Sequence, residues 1–207
     1  MGVAYLFLLR TLGSHPLQAT WSRYFATCPA NSYVIFSHTD AASSNQPPGN
    51  PASGIFTSNA GYSPASREHT FFSKSTLPQS IRVHRFDFSI VKARLLLLRA
   101  AVEQSRPYAS LPGRRQTTPQ WFLFLSDSCA PLLPCSEIHL YLERHGNRSF
   151  VGSDPCDDRR RWHNTSISAV DCRKSMGWGG LHRTAALRIL QKVCSMLGSS
   201  SVHAISA

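Results

Sequence analysis

The sequence predicts no single globular fold: a largely irregular, disordered chain with two amphipathic helices, at about 88–104 and 184–197, and short strands at about 121–125 and 138–143. Three observations predict this. Charged residues are only 16% of the chain, where soluble domains carry about 25%. Ser, Leu and Arg, the residues with the most codons, make up close to a third of it. Finally, the stretch 37–80 is dense in Ser, Asn, Pro and Gly, with few large side chains to bury. A composition that follows codon number more than folding need fits a young or non-selected reading frame.

Residues 1–36 form an ambiguous N-terminal segment. The apolar run Val3–Leu9 ends at Arg10; it has the minimum length of a signal-peptide core and falls far short of the ~20 residues that span a bilayer. No transmembrane helix is expected anywhere in the chain. The same segment also reads as a mitochondrial presequence. It contains no Asp or Glu before Asp40, and Arg23-Tyr24-Phe25-Ala26 matches a matrix-processing pattern. Two arginines are few for that role, and Pro16 interrupts a long helix. The secretory and mitochondrial readings stay open, as does the absence of either signal. Myristoylation is excluded because Leu6 stands where Ser or Thr is required.

Residues 37–80 read as a disordered linker. In Asn45-Gln46-Pro47-Pro48-Gly49-Asn50-Pro51 the prolines remove amide donors and push their neighbours out of helix, so ordering would cost more entropy than contacts return. Residues 81–198 form a weakly structured helix and strand region, and 199–207 a disordered tail.

Within 81–198 the spacing predicts a helix over 88–104. Ser89, Lys92, Arg99 and Glu103 form a narrow polar stripe, Asp87 precedes it as a cap and Pro107 follows. Four consecutive leucines, Leu95–Leu98, need cover. Trp121–Leu125 is a short apolar run of strand type. Ile138, Leu140 and Leu142 alternate with His139, Tyr141 and Glu143, the period of a half-buried strand, and His145-Gly146-Asn147 turns toward Phe150-Val151 as a hairpin. The second helix, 184–197, opposes Thr184, Arg188, Gln191, Lys192 and Ser195 to a wide apolar arc. Gly179-Gly180 precede it and Gly198 follows.

The chain has 22 basic and 11 acidic residues, a net charge of +11. Nucleic acid or an anionic membrane surface are therefore the expected non-specific partners. The basic residues are scattered, and the tightest run, Arg159–Arg161, follows Asp157 and Asp158, which partly neutralise it.

Six cysteines, Cys28, Cys129, Cys135, Cys156, Cys172 and Cys194, admit disulfides in a secreted protein. Cys194 falls on an apolar helix face, where a buried free thiol is ordinary. Their spacing with His163 matches no standard zinc finger. Asn147 and Asn164 head glycosylation sequons, and Thr117 follows Arg114-Arg115 in a basophilic kinase pattern; such short matches arise by chance. No nucleophile elbow, phosphate-binding glycine loop, H-E-x-x-H or C-x-x-C occurs. No catalytic, cofactor-binding or metal-binding residue is nominated, and no cofactor is expected. The expectation is a non-enzymatic basic protein, with a small secreted disulfide-containing glycoprotein and a mitochondrially imported interaction protein as alternatives.

Overall fold

The apolar run near the N-terminus sets the architecture. In the computed structural model, which describes residues 1–10, 15–40, 56–57, 71–84, 88–104, 118–152, 154–155, 173–174 and 179–197, it forms strand β1 (Gly2–Leu9) at the centre of a sheet. After β1 come helix α1 (Gln18–Ala26), strand β2 (Tyr33–Thr39), strand β3 (Phe56–Thr57), the short helix α2 (Phe71–Lys74) and helix α3 (Ser89–Gln104). Strand β4 (Pro119–Ser126), helix α4 (Cys135–Arg144) and strands β5 (Phe150–Val151), β6 (Asp154–Pro155), β7 (Arg173–Lys174) and β8 (Gly179–His182) follow, and helix α5 (Arg183–Leu197) ends the series. The six-stranded sheet has the order β3-β2-β1-β4-β8-β5, while β6 and β7 pair separately.

β1 runs parallel to β2 on one side and to β4 on the other; β3, β8 and β5 join antiparallel. A strand covered on both faces must be apolar at every position, because neither face meets water. Alternation then sorts its side chains. Val3, Tyr5, Phe7 and Leu9 enter one core with Trp21, Tyr24 and Phe25 of α1, Phe71 and Phe72 of α2, and Leu142 of α4. Ala4 and Leu6 enter the opposite core with Leu96, Leu97, Ala101 and Val102 of α3 and Ala186 of α5.

Two packed cores on a mixed sheet overturn the expectation of a largely irregular chain. The central strands carry no charge because they are covered on both faces, which removes the surfaces where Glu and Lys would sit. The predicted helices at 88–104 and 184–197 correspond to α3 and α5, both packed on the sheet. Within α5, Ala186 is buried and Leu190 packs against the core, whereas Leu187, Ile189, Met196 and Cys194 lie exposed. The Cys194 thiol is therefore not the buried one its apolar helix face suggested.

The predicted strand at 138–143 is a helix. Its alternating residues also satisfy helical spacing: Cys135, Ile138 and Leu142 line one buried or half-buried stripe, leaving Leu140 and Tyr141 exposed. Glu137 in the first turn and Arg144 in the last complement the helix dipole. The hairpin expected after it does not form either; β5 pairs with β8. There the two glycines read as helix-leading residues have another purpose. A Cβ on Gly179 would stand 2.6 Å from the Phe150 carbonyl oxygen, so only glycine lets β5 approach β8 this closely, whereas one on Gly180 would stand 2.9 Å from Leu123 Cδ2 and need only that side chain to shift.

Parts of the stretch read as a linker are ordered. Ser37–Thr39 complete β2, and Ser37 pairs by backbone hydrogen bonds with Ser75 and Leu77 just after α2. The proline-rich residues 45–51 lie outside the described residues, as do Asp87, Thr117, Asn164, Cys156, Cys172 and the tail 199–207. Asn147 sits exposed in the turn between α4 and β5. No helix among the described residues is long and apolar enough to cross a membrane.

Candidate active site

The chain passes from β1 through α1 to β2 on one side, then crosses beneath the sheet through α3 to β4 on the other. Connections leaving neighbouring parallel strands in opposite directions open a crevice at the strands' carboxyl ends, where ligands of open α/β sheets bind. That position falls between the ends of β1 and β4.

Polar residues follow each apolar strand at this edge. Arg10 leaves β1 and Asp127 leaves β4, and they join across the switch point: Arg10 Nε lies 2.7 Å from Asp127 Oδ2, and Nη2 lies 3.4 Å from Oδ1. The guanidinium side chain is 84% exposed and the carboxylate side chain 14%, so the pair presents a held anion beneath an accessible cation.

His15 fastens the two strand ends together. The Leu17 amide donates to His15 Nδ1 at 3.0 Å, which leaves Nε2 as the protonated nitrogen, donating to the Ser126 carbonyl at 3.3 Å. The ring stacks on Phe72, with centroids 4.8 Å apart, and burial lowers its pKa despite Asp127 nearby. Trp21 Nε1 donates to the Cys129 carbonyl at 3.0 Å. The Ser126 amide reaches Cys129 Sγ at 3.3 Å, and Ser126 Oγ lies 2.8 Å from Ser128 Oγ. These contacts fix the Ser126–Cys129 turn, so Asp127 projects from a rigid corner.

At the end of β2, His38 is fully buried and its Nε2 accepts the Ile81 amide at 3.1 Å. Burial lowers its pKa, with Asp40 opposing the shift. Asp40 Oδ1 accepts the Val83 amide at 3.3 Å, and Ser80 Oγ donates to the Thr39 carbonyl. The edge therefore carries two carboxylates, Asp40 and Asp127, on the strands flanking β1.

Of the residues nominated from sequence, Asn147 is in the α4–β5 turn and not at this edge, while Asn164 and Thr117 lie outside the described residues. Arg10, His15 and Asp127 were missed because they are far apart in the chain and match no motif. The available signal was local: an apolar strand ending in Leu9-Arg10, and another ending in Ser126-Asp127-Ser128.

The remaining concentration of metal-ligating side chains among the described residues is elsewhere, where Cys28 at the end of α1 and Cys135 at the start of α4 form a disulfide beside His139. The zinc-finger spacing test overlooked it because its members are 107 residues apart.

A search of curated proteins finds no match to the chain. A family model described as Branch: Core-2/I-Branching enzyme matches residues 3–192, from β1 into α5. That match overturns the expectation of a non-enzymatic, orphan reading frame. Composition could not exclude an enzyme whose site is assembled from single residues at strand ends. With the family pattern extending over both cores and the β1–β4 crevice, the chain belongs to the Core-2/I-Branching enzyme family of glycosyltransferases.

Proposed function

We propose that this chain transfers a sugar from a phosphate-activated donor to a hydroxyl of a glycan acceptor, creating a branch, at the crevice between the carboxyl ends of β1 and β4. The observation that carries the reading is the Arg10–Asp127 pair spanning that crevice, inside the region matched by the family. In the transfer, the acceptor oxygen bonds to the anomeric carbon while the bond from that carbon to the phosphate oxygen breaks. The phosphate keeps the electron pair, and the acceptor hydroxyl loses its proton. Arg10, long and accessible, suits the charge that develops on the leaving phosphate. The Asp127 carboxylate suits the proton that the acceptor hydroxyl gives up, and Arg10 holds that carboxylate in place. His15, buried and neutral, positions the Asp127 turn without meeting substrate.

The test is transfer from a panel of nucleotide sugars to oligosaccharide acceptors, following nucleotide release and product mass. Asp127→Asn should lower turnover by about two orders of magnitude or more, and Arg10→Gln should chiefly raise the donor KM. Asp127→Asn turning over within twofold of the unmodified chain removes this site. Absence of transfer from every donor removes the reading itself.

A further inference from the structure

We propose that Asn147, in the turn between α4 and β5, carries an N-linked glycan. Asn147-Arg148-Ser149 is a sequon, and a sequon alone is a match that chance supplies. The fold adds three observations. First, Asn147 is exposed, on a turn held by the Gly146 amide donating to the Glu143 carbonyl at 3.0 Å and the Arg148 amide to the His145 carbonyl at 3.2 Å. Gly146 has a left-handed φ of 57°, and a Cβ there would meet nothing within 4 Å, so the turn juts into open space. Second, a disulfide joins Cys28 to Cys135 across 107 residues. Such bonds form and persist in oxidising compartments, the setting in which sequons of secreted chains are modified. Third, β4 and β5 each pair antiparallel with β8, so they run in the same direction and the turn leading into β5 lies toward the strands' amino ends. Ser149 marks the same place: its Oγ accepts the amide of His182, the partner of Trp121 near the start of β4. The crevice is at the opposite edge, so a bulky glycan on Asn147 leaves it open.

In the attachment, the Asn147 amide nitrogen bonds to the anomeric carbon of a diphosphate-linked oligosaccharide while the bond from that carbon to the diphosphate oxygen breaks. The diphosphate leaves with the electron pair, and the amide loses one proton. A separate oligosaccharide transferase brings that donor; this chain is the acceptor. A sequon needs its serine hydroxyl as well as its asparagine. In the fold, Ser149 Oγ is taken by an amide 33 residues further along the chain, so attachment precedes the pairing of β5 with β8. Chain order allows this, because Asn147–Ser149 are synthesised before β8.

The test uses the full chain from its own cells, captured by a C-terminal tag. Peptide N-glycosidase in heavy-oxygen water converts a glycosylated asparagine to an aspartate carrying the heavy isotope, which peptide mass spectrometry locates. Asn147 should be labelled, and unlabelled when the enzyme is omitted. Asn147→Gln, at an exposed position, should remove that label and the matching glycosidase-sensitive shift in mass. Ser149→Ala should also abolish the label on Asn147, and Ser149→Thr, which keeps the hydroxyl, should retain it. An unlabelled Asn147 overturns the proposal, and so does label confined to Asn164. The readout is independent of the chain's own transferase activity, so the two readings fail separately.

Discussion

The two faces of the sheet are built from different chemistry. The face under α1, α2 and α4 is aromatic: Tyr5, Phe7, Trp21, Tyr24, Phe25, Phe71 and Phe72 meet mostly edge-on, with ring centroids about 4–6 Å apart. The face under α3 and α5 is chiefly aliphatic, with Ala4, Leu6, Leu96, Leu97, Ala101 and Val102 in close contact. Aromatic rings bring polar handles and fixed geometry; small aliphatic groups bring closeness and tolerance. The crevice residues are anchored on the aromatic side, where His15 stacks on Phe72 and Trp21 holds the Cys129 carbonyl. Precision is concentrated on the face that positions the site.

Core truncation should give the largest losses on both faces. Phe7→Ala should destabilise by about 3–5 kcal/mol, and Leu97→Ala by about 2–5 kcal/mol. The sharper contrast is in conservative exchange: Leu97→Met should cost less than about 1.5 kcal/mol, while Phe7→Leu should cost more, because it removes edge contacts to Trp21 and Phe72. Denaturant unfolding measures both; equal costs for the two exchanges would erase the contrast.

Next in size is the Tyr5–Tyr24 hydroxyl pair, 2.6 Å apart within the aromatic core. Burial, with the neighbouring tyrosines adding to it, pushes Tyr5 well above its ordinary pKa, and burial pushes Tyr24 up to about 12. Tyr24→Phe leaves the Tyr5 hydroxyl without its partner and should cost about 1–3 kcal/mol. Adding Tyr5→Phe should recover much of that loss. A double variant as unstable as the sum of the singles would mean the hydroxyls are not coupled.

Acid should reveal one histidine on each face. His15 and His38 have folded pKa values lowered by burial from the ordinary 6.5, so the unfolded chain binds more protons below that pH. Their neutral forms contribute fully above about pH 6.5, and stability falls as pH drops through it toward the lowered values. Melting temperature should decline from pH 7 to pH 5. His15→Gln and His38→Gln should each flatten that decline, and an unaltered slope in both would place the acid sensitivity elsewhere.

The smallest effect belongs to the outer surface of α3. Arg99 and Glu103 pair at 2.7 Å, one turn apart and half in solvent. Glu103→Gln should change stability by less than about 0.5 kcal/mol, and less still in high salt. A larger loss would show that the aliphatic face depends on its rim as well as its packing.

How much could be read beforehand varies with the range of the interactions. The boundaries of α3 and α5 follow from spacing inside one segment, which is a local property. β1 and α4 were hard to read for a shared reason: a short apolar run is ambiguous until its covering neighbours are known. Val3–Leu9 has the length of a doubly buried strand, but only the pairing with β2 and β4 on either side shows it as one. Ile138–Glu143 fits two periods, and the disulfide at Cys135 with burial of Leu142 selects the helix. The site was the least legible part, since Arg10 and Asp127 are separated by 117 residues and neither is unusual in its own segment.

By itself, the sequence determined which segments are apolar, where two helices begin and end, and that the chain is basic and poor in charge. These depend on each residue's own chemistry and that of neighbours a few positions away. Tertiary structure alone decided that the apolar runs share one doubly covered sheet, that Cys28 meets Cys135, and that Arg10 meets Asp127 at a strand crossing. Those pairings exist only after the parallel strands align, because long-range contacts are set by how buried faces fit together and no residue carries that information alone.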